Sequence, residues 1–381
     1  MKKGWEIKNM GDICSISTGK SNTEDAVENG RFAFFDRSKI VKRSSKYLFD
    51  CDAIIIAGEG QTFLPKYYSG KFDLHQRAYA IFNFNERVSI HYVYKYLIHF
   101  HKYFEAVAVG ATAKSLRLRH FQDLPIPVPP LPDQKRIVAV LDESFAALTK
   151  AKENAEKNLV YARELFKSAL QEMVSKPKKN WQKRKLEELF NIKHGFAFKS
   201  KYFSRSGKYI LLTPGHFYEE GGYRDRGEKT KYYVGDIPDG FIAKKGDIMI
   251  AMTEQAPGLL GSPIIVPEAN KYLHNQRLGL IKYKQENILD TNYLAYLFNT
   301  KKIRSQIHQS ASGVKVRHTS PTKVLEINVF IPKLEEQQTI VKKLDALSSE
   351  TKKLEAIYQQ KLSALEELKK SLLQKAFNGE L

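Results

Sequence analysis

The sequence has few cysteines and no long apolar run. Its two cysteines, Cys14 and Cys51, lie in neither a Cys-x-x-Cys pair nor a Cys/His metal spacing. This pattern argues against both a disulfide scaffold and a zinc site. The first residues turn polar at once, and no apolar run approaches the roughly eighteen residues that a membrane helix requires. We therefore expect a cytoplasmic protein without a membrane partner.

The common catalytic motifs are missing as well. The sequence has no Gly-rich loop with an ATP-binding lysine, no Asn-Pro-Pro-aromatic or Asp-Pro-Pro-aromatic segment and no His-Glu-x-x-His. No Ser/His/Asp or Cys/His set recurs in both halves, and carboxylates lie mainly on predicted helices, where a solvated face is the usual explanation. Nothing points to a scattered acidic nuclease site. The sequence thus predicts a protein that is not an enzyme and holds no metal or cofactor of its own.

Positive charge, in contrast, is abundant. The 381 residues include 62 Lys and Arg against 42 Asp and Glu, a formal net charge of +20. Hydrophobic residues make up 42% of the chain, enough for two domains with ordinary cores. The excess of positive charge favours a polyanionic partner, with nucleic acid ahead of a membrane surface, over a protein that is merely basic.

The chain also repeats itself. The segment 129–142 returns at 332–345, and the offset of 203 residues holds without a gap to the end of the chain. The segment 5–16 returns more loosely at 181–192, an offset of 176 residues. The second globular part therefore carries roughly 27 additional residues. We predict four regions, namely two globular domains (1–128 and 178–331), each followed by a helical spacer (129–177 and 332–381).

Each helical region begins with a proline-rich approach and an acidic first turn, and continues without Pro or Gly as far as Pro177 or Gly379. The apolar residues follow a heptad, which is typical of a coiled coil. Small residues of the first helix match larger ones in the second, which favours antiparallel pairing of the two helices over packing of each on its own domain. The predicted seam residues are Leu141, Leu148, Ala155, Asn158, Ala162 and Leu165 of the first helix, and Leu344, Leu347, Leu354, Tyr358, Lys361, Leu365 and Leu368 of the second.

The globular domains mix strand and helix, so the fold class is α+β. Matching buried strands are expected at 53–57 and 247–251, and polar and basic loops follow them. Arg, Lys, Gln, Asn and Thr side chains hydrogen-bond base edges and phosphates, so these loops are candidates for DNA binding. The candidates are Gly58, Gln61, Thr62, Lys66, His75, Arg77, Lys114, Arg117 and Arg119 in the first domain, and Thr253, Gln255, Asn275, Arg277, Lys315, Arg317 and His318 in the second. Gly58 could instead terminate a strand, and Arg77 and Arg277 could be structural ion-pair partners.

Taken together, these features resemble the specificity subunit of type I restriction–modification systems over essentially the full length. The resemblance rests on the repeated Pro-x-Leu-x-acidic-Gln-x-x-Ile-Val-x-x-Leu-Asp segment and on the C-terminal residues 368–381. The loops 258–263 and 273–277 are also similar to recurrent elements of that family's recognition domains.

The resemblance implies two target-recognition domains that each read one half of a bipartite, asymmetric site in double-stranded DNA. It implies that the helices act as a spacer, of roughly one DNA turn (about 34 Å) or more, and as a docking surface for two methyltransferase subunits. Restriction subunits would join to cleave, and S-adenosylmethionine, ATP and Mg would belong to the partner subunits. The alternatives are a coiled-coil adaptor that binds RNA or an acidic protein, and an orphan recognition subunit of a methylation-only system.

Overall fold

The computed structural model describes residues 4–111, 114–255 and 257–381. The chain forms two compact units. The first unit comprises Met1–Lys157 and Tyr358–Leu381, and the second comprises Asn158–Ile357. Each unit therefore combines one globular domain with one end of each long helix. None of the described helices is long and apolar enough to cross a membrane.

The globular part of the first unit is built from short elements that lead into the first long helix. In chain order they are β1 (Glu6–Asn9), α1 (Met10–Ile13), β2 (Ser15–Thr18), β3 (Phe32–Phe35), β4 (Lys42–Ser44), β5 (Phe49–Ala57), β6 (Glu59–Gly60), β7 (Lys66–Leu74), β8 (Ala78–Phe82), α2 (Ile90–His99), α3 (His101–Val107), β9 (Lys114–Ser115), α4 (Leu118–Gln122), β10 (Pro125–Val128) and α5 (Leu131–Leu170).

The main sheet of this unit has the strand order β2-β8-β5-β7-β3-β4. Alternate residues of β5 enter two different cores, because successive side chains of a strand point to opposite faces. Ile54 and Ile56 pack in the core that includes α2, whereas Ala53 and Ile55 pack with the aromatic residues of β3 and β7. Burial on both faces explains the uninterrupted apolar run of this strand.

The second unit repeats this plan with additional strands. In chain order its elements are β11 (Gln182–Lys185), α6 (Leu186–Leu189), β12 (Phe190–His194), β13 (Phe203–Ser204), β14 (Tyr209–Leu211), β15 (Tyr232–Tyr233), β16 (Ile248–Ala251), β17 (Thr253–Glu254), β18 (Pro263–Ile265), β19 (Tyr272–Leu273), β20 (Leu278–Tyr283), α7 (Thr291–Phe298), α8 (Lys301–Ser310), β21 (Arg317–His318), α9 (Pro321–Leu325), β22 (Asn328–Ile331) and α10 (Leu334–Asn378).

Two sheets of this unit, in the orders β12-β20-β16-β18 and β13-β15-β14-β19, enclose its cores. As in β5, alternate residues of β16 face different sides. Ile248 and Ile250 pack with the helices, and Met249 and Ala251 pack in a separate core. The α+β fold predicted from the sequence is therefore confirmed in both units.

The repeated glutamine of the helix-start motif is fully buried in both units and makes the same bonds. Gln134 accepts a hydrogen bond from the Ser89 N–H (2.7 Å) and donates to the carbonyls of Arg87 and Pro129. Gln337 accepts from the Asp290 N–H (2.9 Å) and donates to the carbonyls of two further residues, Ile288 and Pro332. Each amide thus ties the start of a long helix to the loop that precedes α2 or α7.

Within the first unit the two helical segments pack antiparallel, as their contacts show. The guanidinium of Arg136 donates to the backbone carbonyl of Leu381 (2.9 Å), while Lys152 pairs with Glu366 (2.8 Å) further along. Ile137 and Leu141 share a core with Leu373, Ala376 and Phe377 of α10.

The second unit contains the corresponding arrangement, formed by the other ends of the helices. Arg163 pairs with Glu355 at 2.9 Å, and Leu170 packs with Ile340 and Leu344. Helix α5 ends at Leu170 and continues into a π-helical turn at Gln171–Ser175. Antiparallel pairing of the long helices, predicted from the complementary seam residues, is confirmed.

The predicted seam matches the buried surface only in part. Leu141, Ala155, Ala162 and Leu344 are buried, and Leu148, Asn158, Leu347, Tyr358 and Leu365 are half-buried. Leu165 (51% exposed), Leu368 (49% exposed), Leu354 and Lys361 are exposed, so these four lie outside the seam. A straight helix drifts by about 20° per heptad relative to a strict seven-residue repeat, and the contact line therefore leaves some heptad positions.

Candidate nucleic-acid interface

The loop that follows β5 in the first unit, and the one that follows β16 in the second, are held by equivalent backbone hydrogen bonds. Gly58 N–H donates to the Arg77 carbonyl (2.7 Å), and Met252 N–H donates to the Arg277 carbonyl (2.9 Å). Strand β6 pairs with β9 and β17 pairs with β21, so that Glu59 lies opposite Ser115 and Thr253 lies opposite His318. The bonds make Arg77 the structural counterpart of Arg277, and Glu59 the counterpart of Thr253.

We call the loop after β5 or β16, together with the short strand pair that follows it (β6-β9 or β17-β21), a loop platform. In the first unit a carboxylate joins two arginines on this platform. Glu59 accepts from Arg77 Nη1 at 2.6 Å on one oxygen and from Arg37 Nη1 at 3.0 Å on the other. Hydrogen bonds from Arg77 and Arg37 hold the pKa of Glu59 below its ordinary value, although burial opposes them. Arg77 is therefore an ion-pair partner, the alternative that the sequence left open, and its guanidinium remains half exposed.

Gly58 and His75 were predicted to contact DNA, but both are buried, and this contradicts a direct contact. Gly58 is buried, and a Cβ there would lie 2.6 Å from the Arg77 carbonyl oxygen. The ring of His75 is buried, and its Nδ1 accepts the backbone N–H of Arg77 at 3.0 Å. Burial and the nearby positive charges of Arg37 and Arg77 lower the pKa of His75, which suits its role as a neutral acceptor.

Two candidate lysines of the first unit donate hydrogen bonds to backbone carbonyls of the protein itself. Lys66 Nζ donates to the Ser38 carbonyl at 2.9 Å, and burial lowers its pKa. Lys114 Nζ donates to the Glu105 carbonyl at 2.8 Å while remaining exposed. The other candidates are all exposed and available for a partner, and they comprise Gln61, Thr62, Arg117 and Arg119.

The second unit organises its loop around a different carboxylate. Glu254 is buried, and its Oε2 accepts the backbone N–H groups of Gly258, Leu259 and Leu260 at 3.0, 3.1 and 2.9 Å. Three convergent N–H donors satisfy a buried carboxylate well and fix the path of the loop. Glu254 was not among the predicted site residues, because a single carboxylate beside a loop forms no sequence pattern.

Basic side chains of α8 and β21 surround the same carboxylate. Arg304 is largely buried and donates to the Gly258 carbonyl, and burial lowers its pKa to about 10. Arg317 lies 4.0 Å from Glu254 and donates to the His308 carbonyl. Arg317 therefore has a structural role beside Glu254, while its side chain stays 38% exposed and its DNA contact remains a prediction.

The remaining candidates of the second unit divide in the same way. Asn275 is buried, and its Oδ1 accepts the Arg277 N–H at 3.0 Å, so it shapes the turn and its burial disfavours a direct contact with DNA. His318 and Lys315 are exposed, and His318 lies 3.2 Å from the Ser312 hydroxyl. Ala256, between Gln255 and the rest of the loop, lies outside the described residues, as do Thr112 and Ala113 in the basic turn of the first domain.

Thr253, Gln255 and Arg277 line one open groove of about 910 Å³ in the second unit. Further basic side chains line the same groove, and the sequence analysis did not select them: Arg205, Arg226, Lys229 and Lys231. The sequence offered one indication of these residues. They lie in the part of the second domain where the repeat offset changes from 176 to 203, and some residues there have no counterpart in the first domain. The groove brings positive charge and amide and hydroxyl groups together, a set suited to phosphates and base edges.

Comparisons with known proteins agree with this picture. Residues 2–157 and 178–364 match the family described as the type I restriction modification DNA specificity domain. The EcoDI specificity subunit of Escherichia coli is 23% identical, over 99% of this chain and 88% of that protein. The MjaVIII specificity subunit of Methanocaldococcus jannaschii is 22% identical, over 99% of this chain and 93% of that protein.

Two solved structures share the fold. A chain solved in work on complex assembly and conformational transition of the type I restriction–modification system has a TM-score of 0.75 and 17% identity, and the match covers 100% of this chain and 99% of that one. The HsdS subunit of Thermoanaerobacter tengcongensis has a TM-score of 0.63 and 16% identity, with 100% and 98% coverage.

Proposed function

Because this chain belongs to the family of type I restriction modification DNA specificity domains, we propose that it is the DNA-specificity subunit of such a complex. The observation that carries the proposal is the matched pair of loop platforms, one in each unit, with the same backbone hydrogen bonds and different side chains. A shared scaffold with different polar groups is what two readers of different sequences require. Each unit would read one half of a bipartite, asymmetric site in double-stranded DNA.

The catalytic steps would belong to other subunits. We infer that two methyltransferase subunits dock on the helices, and that restriction subunits join them in a complete system. Adenine methylation with S-adenosylmethionine, and the ATP- and Mg-dependent steps, would then take place in those partners. This chain would contribute no catalytic residue, and its work on DNA beside such partners would place it in the cytoplasm.

The long helices would set the number of unspecified base pairs between the half-sites. Helix α5 has 40 residues and α10 has 45. A heptad added to each helix at facing positions would lengthen the pair by about 10 Å, or about three base pairs of DNA. The gap in the methylated site should grow accordingly, and an unchanged gap would contradict a spacer role.

Retention of DNA by the chain together with its methyltransferase subunit tests the proposal. The complex should retain a duplex with the methylated site more strongly than a scrambled duplex as the salt concentration rises, because base contacts persist when phosphate contacts weaken. Equal loss of both duplexes, or preferential retention of RNA, would instead support the coiled-coil adaptor, for which the relatives offer no support. Neighbouring genes would distinguish a complete system from an orphan methylation system.

A further inference from the structure

The two units differ in the partners of their equivalent arginines, Arg77 in the first and Arg277 in the second. In the first unit Arg77 pairs with Glu59 at 2.6 Å, and Arg37 pairs with the other oxygen of the same carboxylate at 3.0 Å. In the second unit Thr253 occupies the position of Glu59, and a threonine hydroxyl offers no charge to an arginine. Among the residues that the structure describes, the Arg277 side chain has neither an ion pair nor a hydrogen bond.

The exposure of these groups indicates a site that faces outward. The Glu59 side chain is 17% exposed, while those of Arg37 and Arg77 are 48% and 56% exposed. The carboxylate thus lies behind the two guanidinium groups, and each arginine uses one Nη1 donor to reach it. A guanidinium carries five N–H donors in a fixed fork, so each arginine retains donors for a ligand.

The geometry points to guanine recognition by this cluster, and we propose that Glu59 positions Arg37 and Arg77 for contact with a guanine in the half-site of the first unit. This inference rests on the proposed function. Arginine bound through two donors to guanine O6 and N7 is the commonest specific contact in the major groove. A carboxylate behind the arginines restricts their orientation, which favours a base edge over the many positions that a phosphate offers.

The electrostatics favour the same conclusion. Two arginines and one carboxylate have a net charge of +1, so the cluster attracts phosphate less than two unpaired arginines would. The first unit would therefore lose phosphate affinity and gain discrimination at this position. The second unit, whose Arg277 lines a groove with several other cations, would use that arginine mainly for phosphate.

The experiment uses the full chain with its methyltransferase subunit and compares Glu59→Gln with the wild type. The half-site of the first unit is the one that changes when residues 1–128 are exchanged. Binding is measured by competition between duplexes that carry guanine or each other base at every position of that half-site. We expect discrimination at one guanine to fall about tenfold or more, while affinity for a scrambled duplex stays the same or rises. Glu28→Gln, which removes the same charge at an exposed site of the same unit, should change neither quantity.

Arg77→Lys provides a second route if Glu59→Gln alters the fold. Lysine keeps the positive charge beside Glu59 but lacks the planar fork, so guanine discrimination should fall with little change in Tm. Retained discrimination in both variants would overturn the inference, as would a first half-site without a G·C pair. A rise in affinity for all duplexes with discrimination unchanged would show that Glu59 only repels phosphate. If the wild-type complex recognises no bipartite site at all, the proposed function itself fails.

Discussion

The two units resemble each other at the starts of their long helices and differ at their loops. Gln134 and Gln337 make equivalent sets of three hydrogen bonds, although 203 residues separate them. At the loops, Glu59 of the first unit binds two arginines, whereas Glu254 of the second unit binds backbone N–H groups. The helix starts have the same structure in both units. The loops can differ in their side chains because the surrounding backbone hydrogen bonds hold them in place.

The largest effect is expected at the helix starts. Gln134→Ala or Gln337→Ala would leave one N–H and two carbonyl groups without partners in a buried site, at a cost of about 4 kcal/mol to the unit concerned. The chain has two tryptophans, Trp5 in the first unit and Trp181 in the second, so each unit can be followed separately. Urea unfolding in Trp5→Phe or Trp181→Phe backgrounds should show the loss in one unit for each variant.

Gln338→Ala is the matched control for the second helix start, because Gln338 is exposed. Its effect should stay within about 0.5 kcal/mol. Equal losses for Gln337→Ala and Gln338→Ala would contradict a role of the buried amide in the helix start.

A second difference concerns pH, because the second unit buries two neutral histidines, His216 and His274, and the first unit buries one, His75, whose pKa is lowered less. Burial lowers the pKa of His216 and of His274 to about 4, against an ordinary value of 6.5. Between these values the unfolded chain binds protons that the folded unit does not, so stability is full above about pH 6.5 and falls as the pH drops toward 4. The loss should reach about 3 kcal/mol for each histidine.

The single-tryptophan chains also measure this difference. Trp181 fluorescence should report a midpoint of urea unfolding that falls more between pH 7 and pH 4.5 than the midpoint reported by Trp5. The same decrease for both tryptophans would show that the buried histidines do not decide the pH response.

A smaller effect is expected at the loop of the second unit. Glu254→Gln keeps the shape but replaces three charge-assisted hydrogen bonds with neutral ones, at a cost of about 2 kcal/mol to the local structure. Hydrogen exchange should accelerate at the amides of Leu259 and Leu260 and remain unchanged at Gln61 and Thr62 in the first unit. Unchanged exchange in both loops would contradict the role assigned to the carboxylate.

The smallest effect is expected at the exposed ion pairs of the helices. Lys152→Ala and Arg163→Ala remove one pair each, one in either unit. Because exposed pairs contribute little, Tm should change by less than about 2 °C, and less still in high salt. A decrease of the size expected for Gln134→Ala would show that the seam depends on charge and not on its apolar residues.

The sequence was most informative where the physics is local and periodic. Helix starts, helix lengths and antiparallel pairing follow from repeated proline, acidic and apolar positions, and the small seam residues Ala155 and Ala162 are buried as pairing requires. Leu165 and Leu368, which were predicted as seam residues, are exposed, because a fixed heptad ignores the drift of a straight helix.

The loops could be located from the sequence but not interpreted residue by residue. Gly58, His75 and Asn275 have chemistry suited to DNA, yet the fold uses them inside turns. Glu59 and Glu254 were missed because their importance depends on which groups the folded chain brings to them. A carboxylate becomes a positioning group only through partners that are distant in sequence, such as Arg37 for Glu59.

Sequencing of methylated adenines in single DNA molecules would show whether the two units read DNA independently. The chain is expressed with its methyltransferase subunit, and the wild type is compared with a chimaera whose residues 1–128 come from a relative. We expect a bipartite site in which the chimaera changes one half and leaves the other half and the gap intact. A change in both halves, or in neither, would contradict the claim that the two units read DNA independently.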